Sequence, residues 1–431
     1  MANHPRLGRI VLLAATLLGH AAQAQITVHI TRGAERPLPI ALVPFGGYAE
    51  LRLSADVAQV VEDDLRSTGR FEPMARTDMP GRPQEFAQVA LADWQRLGME
   101  NLVVGRVLPA GGGYRIEFWL IDVYRGKQML AKVAQADPAR LRLVAHQIAD
   151  AIYQALTGVR GAFATRVAYV TVQGRGRNKT YRLLAADTDG QDPQTLLTSR
   201  APLLSPAWSP DGRRLAYVSF ESRGSAVYVQ NLHSGQRNRV AAEPGINSAP
   251  AWSPDGSRLA LTLSRDGNAE VYVLNLSDGR LQRITKDPAI DTEPVWSPDG
   301  RRIAFTSDRS GGPQIYEAGI GGGRPRRLTH QGNYNARPRY SSNGRMLAVV
   351  HGDGRSYRIA TVDLDTDRLN VVTDARLDES PSFAPNDSMI IYSTLGARGS
   401  ELAAVSTDGR IRQSLSVRGG QAREPAWGPF R

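Results

Sequence analysis

The second half of the chain repeats one sequence cassette every 44 residues, and once after 43. Its clearest copies read S-P-A-W-S-P-D-G, A-P-A-W-S-P-D-G and E-P-V-W-S-P-D-G. One aromatic residue marks the phase of each copy: Trp208, Trp252, Trp296, Tyr340, Phe383 and Trp427. A repeat of about 40 to 45 residues that carries four short strands is typical of a β-propeller blade. The period therefore predicts a ring of blades.

Each segment of the cassette predicts one part of a blade. Pro-Asp-Gly favours a tight turn, because proline suits the second position of the turn and glycine suits its end. The apolar run that follows, such as L-A-Y-V, predicts a buried strand. An aromatic side chain at the same phase of every repeat is what packing between neighbouring blades requires. We therefore interpret the six aromatics as core residues.

The number of blades follows from an incomplete last copy. The sixth cassette, E-P-A-W-G-P-F, contains only the first strand of a blade. Three further strands are predicted ahead of the first full cassette, at residues 166–172, 180–186 and 194–198. A ring in which the C-terminal strand joins these three has six blades and no free sheet edge. We predict a six-bladed propeller over residues 161–431, closed by the C-terminal strand.

The first 24 residues predict a secretory signal peptide. Arg6 and Arg9 precede an apolar run, and Ala22-Gln23-Ala24 forms a cleavage site, so we expect cleavage after Ala24. The apolar run is too short to span a membrane, and we expect no direct membrane insertion. The chain has no cysteine, which excludes a lipid anchor at the new terminus and any disulfide bond.

Residues 25–160 mix strand and helix patterns and predict a small α/β domain. Ser54 is the expected cap of its first helix, and residues 114–134 read as a hairpin. The predicted fold class is α+β, with a small N-terminal α/β domain followed by an all-β six-bladed β-propeller.

Signatures of catalysis are lacking from the sequence. It contains neither the G-x-S-x-G motif of serine hydrolases nor a P-loop. The histidines lack ligand spacing, and the acidic run at residues 363–367 is followed by Arg368 where a calcium loop needs glycine. We therefore expect no catalytic residues, no metal and no cofactor. The net charge is +11, or +9 without the signal peptide, but the basic residues are dispersed, which argues against nucleic acid as a partner.

The loops that precede the cassette prolines form the predicted interaction surface. They converge at one end of the propeller channel, and their residues vary between blades while the scaffold repeats. The alternative for any single residue is simple solvation of the channel mouth. The predicted site residues are Asn247, Ser248, Ala249, Asp291, Thr292, Glu293, Asn335, Arg337, Glu379, Arg423 and Glu424.

Four segments point to a known family: Q-I-T-V-H-I-T-R-G after the cleavage site, R-P-L-P-I-A-L-V-P-F, L-T-G-V-R-G-A-F-A-T-R-V-A-Y-V at the domain junction, and the P-A-W-S-P-D-G cassettes. With them the whole chain resembles the TolB family, the soluble periplasmic components of the Tol-Pal system. Two cassettes depart from the family pattern, with Tyr340 and Phe383 for tryptophan and with S-N-G and P-N-D for P-D-G.

The resemblance implies a non-enzymatic periplasmic adaptor. It would bind Pal, a peptidoglycan-associated lipoprotein, through the propeller, and TolA, an inner-membrane protein, through an N-terminal segment. Some bacteriocins would use the same propeller surface. Such an adaptor supports outer-membrane constriction and integrity during cell division. The N-terminal segment corresponds to Gln25, Ile26, Thr27, Val28, His29, Ile30, Thr31 and Arg32.

The alternation of apolar and polar residues in this segment predicts a strand. It can pair with the sheet edge of a partner or fold back on its own protein. The alternative is a strand built permanently into the small domain.

Two other classes of function stay open. A propeller enzyme acting on envelope glycans would need paired carboxylates. Its candidates are Asp291, Glu293, Asp378, Glu379 and Glu424. A module that binds peptidoglycan or a small ligand is the other alternative.

Overall fold

The computed structural model describes residues 26–30, 36–396, 399–415, 417 and 420–431, with residues 26–30 described by their backbone. In this part of the chain a small α/β domain is followed by a six-bladed β-propeller, as predicted. None of the helices within these ranges is long and apolar enough to cross a membrane.

The N-terminal domain is a five-stranded sheet with helices on both faces. The strands at this end of the chain are β1 (Ile26–Ile30), β2 (Leu38–Leu42), β3 (Phe71–Pro73), β4 (Asn101–Ala110), β5 (Gly113–Asp122) and β6 (Lys127–Ala136). The helices are α1 (Val57–Ser67), α2 (Leu91–Arg96) and α3 (Leu141–Thr157). The sheet order is β3-β2-β4-β5-β6, in which β2 is parallel to β3 and β4, and the rest is antiparallel.

Two apolar layers hold this domain together. Helices α1 and α3 pack on one face of the sheet, and Trp94 of α2 is buried on the other face. The cap of α1 is not Ser54 but Asp56, whose carboxylate accepts a hydrogen bond from the Gln59 backbone nitrogen at 3.0 Å. An aspartate directly before the first turn satisfies a backbone donor that would otherwise lack a partner.

Six antiparallel sheets form the propeller. After β7 (Arg166–Gln173), β8 (Thr180–Asp187) and β9 (Gln194–Ser199), the chain builds blades 1 to 5 in order. Blade 1 contains β10 (Leu203–Trp208), β11 (Arg214–Ser222), β12 (Gly224–Asn231) and β13 (Arg237–Ala241), and blade 2 contains β14 (Asn247–Trp252), β15 (Arg258–Leu263), β16 (Glu270–Asn275) and β17 (Leu281–Arg283). Blade 3 contains β18 (Asp291–Trp296), β19 (Arg302–Ser307), β20 (Gln314–Gly319) and β21 (Arg326–Arg327), and blade 4 contains β22 (Tyr334–Tyr340), β23 (Met346–Gly352), β24 (Tyr357–Asp363) and β25 (Arg368–Val371). Blade 5 contains β26 (Asp378–Phe383), β27 (Met389–Gly396), β28 (Gly399–Ser406) and β29 (Ile411–Leu415).

Blade 6 is assembled from both ends of the propeller sequence. The last strand, β30 (Gln421–Trp427), pairs antiparallel with β7, with Trp427 opposite Val167. The sheet order is β30-β7-β8-β9, so the C-terminal strand takes the place that the first strand takes in every other blade.

The N-terminal strand also reaches the propeller. Strand β1 pairs antiparallel with β29, from Ile26 opposite Leu415 to Ile30 opposite Ile411. It therefore extends blade 5 to five strands and does not join the sheet of the small domain.

The cassette aromatics join neighbouring blades, as the sequence indicated. The indole nitrogen of Trp252 donates to the carbonyl of Ala207 in the preceding blade at 3.0 Å. Trp296 does the same to Ala251 at 3.2 Å, and Trp208 to Ala426 at 3.0 Å. Each of these rings thus packs between two blades and donates to a carbonyl of the inner strand of the preceding blade.

Candidate functional site

The propeller has one face that the N-terminal domain leaves free. Two kinds of loop lie on this side: those that link the blades, and those between the second and third strands of each blade. Two backbone hydrogen bonds join loops of the two kinds. Phe220 donates its backbone nitrogen to the Pro202 carbonyl at 3.1 Å, and Leu395 donates to Leu377 at the same distance. We call this side the open face.

The small domain contacts turns on the opposite side. Asn386 donates its side-chain nitrogen to the Arg160 carbonyl at 2.9 Å, and Thr188 donates its hydroxyl to the Phe163 carbonyl at 3.1 Å. Both propeller residues lie in turns of blades 5 and 6, at the ends of strands far from the open face.

Within the described part of residues 161–431, all of the large apolar side chains that are more than a third exposed, except Val371, lie on the open face. They are Ile246 (50%) and Ile290 (53%) in loops between blades, and Phe220 (39%), Tyr357 (37%) and Leu395 (55%) at the ends of strands. Sequence reasoning missed them, although Ile246 and Ile290 directly precede the predicted residues Asn247 and Asp291. A repeated isoleucine before a polar loop residue is the signal that could have found them.

Three of the predicted site residues are buried and hold the loops in shape. Asn247, Asp291 and Asn335 have no exposed surface. Asn247 donates to the Glu243 carbonyl at 2.7 Å, and Asn335 donates to the Gln331 carbonyl at 2.9 Å. Asp291 accepts a bond from Arg309 at 2.6 Å. Contact with a partner through these three side chains is therefore not available in this conformation, because they satisfy polar groups of their own chain.

A second set of residues, four of which were predicted, lies around the channel where neighbouring blades meet. In every blade the residue before the cassette proline has a left-handed backbone, with φ between +49° and +56°, at a bulge of the first strand. A bulge redirects a side chain, here toward the neighbouring inner strand. The residues are Ser205, Ala249, Glu293, Arg337, Ser380 and Glu424.

Charges converge within this ring. Arg337 donates to Glu293 of the preceding blade at 2.8 Å and bonds the Ser380 hydroxyl of the next blade. Glu424 accepts a bond from the Ser205 backbone nitrogen across the closure of the ring. Although desolvation opposes the effect, Glu293, Glu424 and Glu379 raise the pKa of Arg337, which shows that carboxylates of three blades act on one guanidinium.

Four further predicted loop residues, together with Ala249 of the ring, are at least partly accessible. Glu379 and Arg423 are exposed, and Ser248, Ala249 and Thr292 are half-buried. Together with the exposed apolar side chains they form the open-face rim, which we define as Phe220, Ile246, Ser248, Ala249, Ile290, Thr292, Tyr357, Glu379, Leu395 and Arg423. The rim combines an apolar surface with charges of both signs.

The predicted N-terminal segment is described in part. Gln25, Thr31 and Arg32 lie outside the described residues, as do the signal peptide and its cleavage site. Ile26–Ile30, which contains Thr27, Val28 and His29, is strand β1 on the edge of blade 5. Of the arrangements considered from sequence, the structure has the one in which the segment folds back on its own protein.

One cluster between the two domains has the residue types of a metal site. His146, Asp187 and Asp189 bring possible ligand atoms within 4.8 Å of one another. However, the guanidinium of Arg142 contacts Asp189 and lies 3.8 Å from Asp187. The guanidinium of Arg142 thus neutralises the carboxylate charges that a metal ion would otherwise neutralise.

Both domains match those of a known protein family. A profile of the TolB beta propeller domain matches residues 153–431, and a profile of the TolB amino-terminal domain matches residues 26–129. The chain belongs to the TolB family. The prediction of a non-enzymatic propeller protein of this family is confirmed.

Named relatives share almost the whole chain. The Tol-Pal system protein TolB of Thioalkalivibrio sulfidiphilus is 60% identical over 429 residues, which cover 99% of each chain. That of Nitrosococcus oceani is 59% identical over 98% of each chain. The crystal structure of TolB from Acinetobacter baumannii superposes with a TM-score of 0.86 at 39% identity, covering 94% of this chain and 100% of that one.

Proposed function

We propose that this protein is a periplasmic adaptor of the Tol-Pal system. It binds a Pal-type lipoprotein on the open-face rim and a TolA-type inner-membrane protein through residues 25–32. The role of the complex is to support outer-membrane constriction and integrity during cell division. Export requires the signal peptide, with cleavage after Ala24.

The observation that supports Pal binding most strongly is the set of five exposed apolar side chains on the open face. Monomeric soluble proteins rarely expose contiguous apolar surface, and such patches with polar surroundings mark interaction sites. Ile246 and Ile290 are about half exposed, and Ile290 lies two residues before half-buried Thr292. Exposed Glu379 and Arg423 supply the charged edge that gives a protein interface its orientation.

Three of the five carboxylates considered for a glycan-cleaving site are engaged within the propeller. Asp291 is bonded to Arg309, and Glu293 is paired with Arg337. Glu424 is engaged by a backbone nitrogen of blade 1. Carboxylates held in this way stabilise the ring, whereas glycoside hydrolysis needs two that face a substrate.

The position of β1 supports the second part of the proposal. Its pairing with β29 shows that residues 26–30 adopt the extended conformation in which peptides add to a sheet edge. A TolA-type partner that pairs with the same strand must displace it from blade 5. A propeller ligand that weakens the contact of β1 with β29 would therefore increase the affinity for the TolA-type partner. The size of the increase is set by how much the ligand changes the free-energy difference between docked and released β1.

The Pal contact is tested by charges placed in the apolar part of the rim. We expect the double variant Ile246→Glu and Ile290→Glu to weaken binding of a soluble Pal domain by at least about tenfold, because two apolar anchors are lost and two charges are desolvated. Titration calorimetry measures the affinity, and circular dichroism checks the fold. Val371→Glu, at a 40% exposed position on the outer strand of blade 4, is the matched control. Equal affinity of all three proteins would move the Pal site away from this rim.

A further inference from the structure

One side of the open face, formed by blades 6 and 1, is strongly basic. The loop between β7 and β8, the second and third strands of blade 6, has the sequence G-R-G-R-N-K at residues 174–179, and all of these residues are exposed. Exposed arginines also lie in the link from blade 6 to blade 1 and in the turn between β11 and β12. We define the basic patch as Arg175, Arg177, Lys179, Arg200 and Arg223.

The patch is continuous across the two blades. The guanidinium of Arg200 donates to the Thr180 hydroxyl at 3.1 Å, which places this arginine at the base of the blade 6 loop. In blade 1, Phe220 donates its backbone nitrogen to the Pro202 carbonyl at 3.1 Å. The turn that contains Arg223 therefore lies beside the link that contains Arg200. The fold thus brings together basic residues that are almost 50 positions apart in the sequence.

The corresponding loops of blades 2, 3 and 4 are electrically balanced. Residues 264–269, 308–313 and 353–356 each contain one arginine and one aspartate. The blade 6 loop contains three basic residues and no acidic one. Beside the patch, Glu221 is paired with Arg237 at 2.6 Å, and within the described part of the chain no carboxylate forms an ion pair with the five patch residues. The positive charge of the patch is therefore uncompensated.

Most side chains of the patch are not held in one orientation. Arg200 is bonded to Thr180, but the side chains of the other four residues make no hydrogen bond to the described residues. An acidic peptide is bound most specifically by guanidinium groups with a fixed, bidentate geometry. A bilayer of anionic lipids instead attracts basic residues according to how many of them approach its surface. The arrangement therefore favours a lipid surface over an acidic protein segment.

An aromatic side chain lies at the edge of the patch. Phe220 is 39% exposed and precedes Arg223 by three residues. Aromatic side chains next to basic ones are typical of peripheral proteins, because the ring reaches the boundary between headgroups and acyl chains while the cations contact phosphates. The small domain contacts turns on the opposite side of the propeller, at Asn386 and Thr188, and leaves this side free.

We propose that the basic patch binds the surface of an anionic phospholipid bilayer. The five basic side chains contact lipid phosphates, and the protein stays outside the hydrocarbon core. The contact is electrostatic, so salt weakens it. The five basic residues lie outside the open-face rim, so the proposal does not depend on Pal binding.

Vesicles of phosphatidylcholine alone, and of equal parts phosphatidylcholine and phosphatidylglycerol, test the proposal. In co-sedimentation assays with residues 25–431 we expect binding to the mixed vesicles only. The ratio of bound to free protein should fall at least about tenfold when NaCl is raised from about 50 mM to about 300 mM, because screening shortens the range of the attraction. Absence of binding to the mixed vesicles, or equal binding to both kinds, would overturn the proposal.

A triple charge reversal in the blade 6 loop locates the contact. The variant with Arg175→Glu, Arg177→Glu and Lys179→Glu should bind the mixed vesicles at least about a hundredfold more weakly, since each basic residue near an anionic surface contributes about fivefold. Circular dichroism checks the fold. The variant with glutamine at the same three positions should also lose most of the binding, and it decides the question if the glutamate variant does not fold.

A matched control has the same change in net charge on the opposite side of the propeller. Arg301→Glu, Arg324→Glu and Arg368→Glu alter exposed turns there, and this variant should lose less than about tenfold in binding, since its charges lie beyond a Debye length from the patch. Equal losses in the two variants would mean that overall charge governs binding, and would overturn the proposal. A wild-type protein that binds a polyglutamate peptide but ignores the mixed vesicles would assign the patch to an acidic protein segment and would also overturn it.

Discussion

Single residues join the blades of this propeller through bonds that repeat with the cassette. The indole nitrogen of Trp252 reaches the Ala207 carbonyl, and Trp296 reaches Ala251 in the same way. We expect Trp252→Phe to lower the free energy of unfolding by about 1–3 kcal/mol, because it leaves a buried carbonyl without a donor. Urea denaturation measures this difference. Tyr124→Phe, at a 58% exposed turn, should change stability by less than about 0.5 kcal/mol. A loss no larger in Trp252→Phe than in this control would show that the bond contributes nothing.

A buried histidine makes the domain interface sensitive to pH. His146 is 1% exposed and faces Asp64 of α1, Asp150 and Arg142 of α3, and Asp187 and Asp189 of the propeller. Burial alone would lower the pKa of His146, but Asp64, Asp189 and Asp187 raise it to about 9. The usual value for histidine is about 6.5, so the folded protein favours the protonated form.

The sign of the pH effect follows from this shift. Stabilisation by His146 is complete below pH of about 6.5 and is lost as the pH rises through about 9. We expect the urea midpoint of the wild-type protein to decrease as the pH is raised from 6.5 to 9.5. The variant His146→Gln should have a lower midpoint than the wild type at pH 6.5, and its midpoint should change much less with pH. Denaturation curves at both pH values provide the measurement. A midpoint in the wild type that is constant or rises over this interval would contradict the assignment.

At the scale of elements, the sequence predicted the blades well because every blade obeys the same local rules. The turn and strand pattern repeats with the cassette, and the structure has its strands within a few residues of the predicted ranges. The roles of Asn247, Asp291 and Asn335 were harder to predict, because a polar residue in a loop can face either solvent or the backbone. Asn247, Asp291, Asn335 and Asp378 stand at the same position of four successive blades. A polar residue that recurs at one position of the repeat indicates a structural requirement, because a surface that only binds a partner does not need to repeat.

The location of β1 could not be predicted from sequence either. Its alternating residues indicate a strand, but the choice of β29 as its neighbour depends on contacts between segments almost 400 residues apart. Five residues at the edge of a complete four-stranded blade add backbone bonds without closing the ring. We therefore expect deletion of residues 25–32 to leave the propeller folded and to increase hydrogen exchange at the amides of residues 411–415.

The same deletion separates the two partners. We expect it to abolish capture of a TolA-type protein and to preserve affinity for a soluble Pal domain, because the open-face rim remains intact. Hydrogen exchange followed by mass spectrometry reports on β29, and pulldown assays report on both partners. Unchanged exchange in residues 411–415 would mean that β1 does not protect this strand in solution.

For the whole molecule, the decisive contact is the one between the two ends of the propeller sequence. Strand β30 supplies the inner strand of blade 6, and Trp208 of blade 1 bonds its Ala426 carbonyl. Removing residues 424–431 would therefore leave the Val167–Ala168 end of β7 as an open edge and would remove the carbonyl that Trp208 of blade 1 bonds. Exposed strand edges promote aggregation, and a propeller avoids them by closure.

We expect this eight-residue truncation to prevent cooperative folding or to cause aggregation. Deletion of residues 25–32 removes the same number of residues from the other end of the chain and is the matched control, since β1 lies outside the closed ring. Thermal unfolding and size-exclusion chromatography compare the two proteins. The truncated chain should lose its transition or elute as aggregate, whereas the control should keep a single transition within a few degrees of the wild type. If both deletions shift the melting temperature equally, closure by β30 contributes no more to stability than the added strand β1, and the ring does not depend on its last strand.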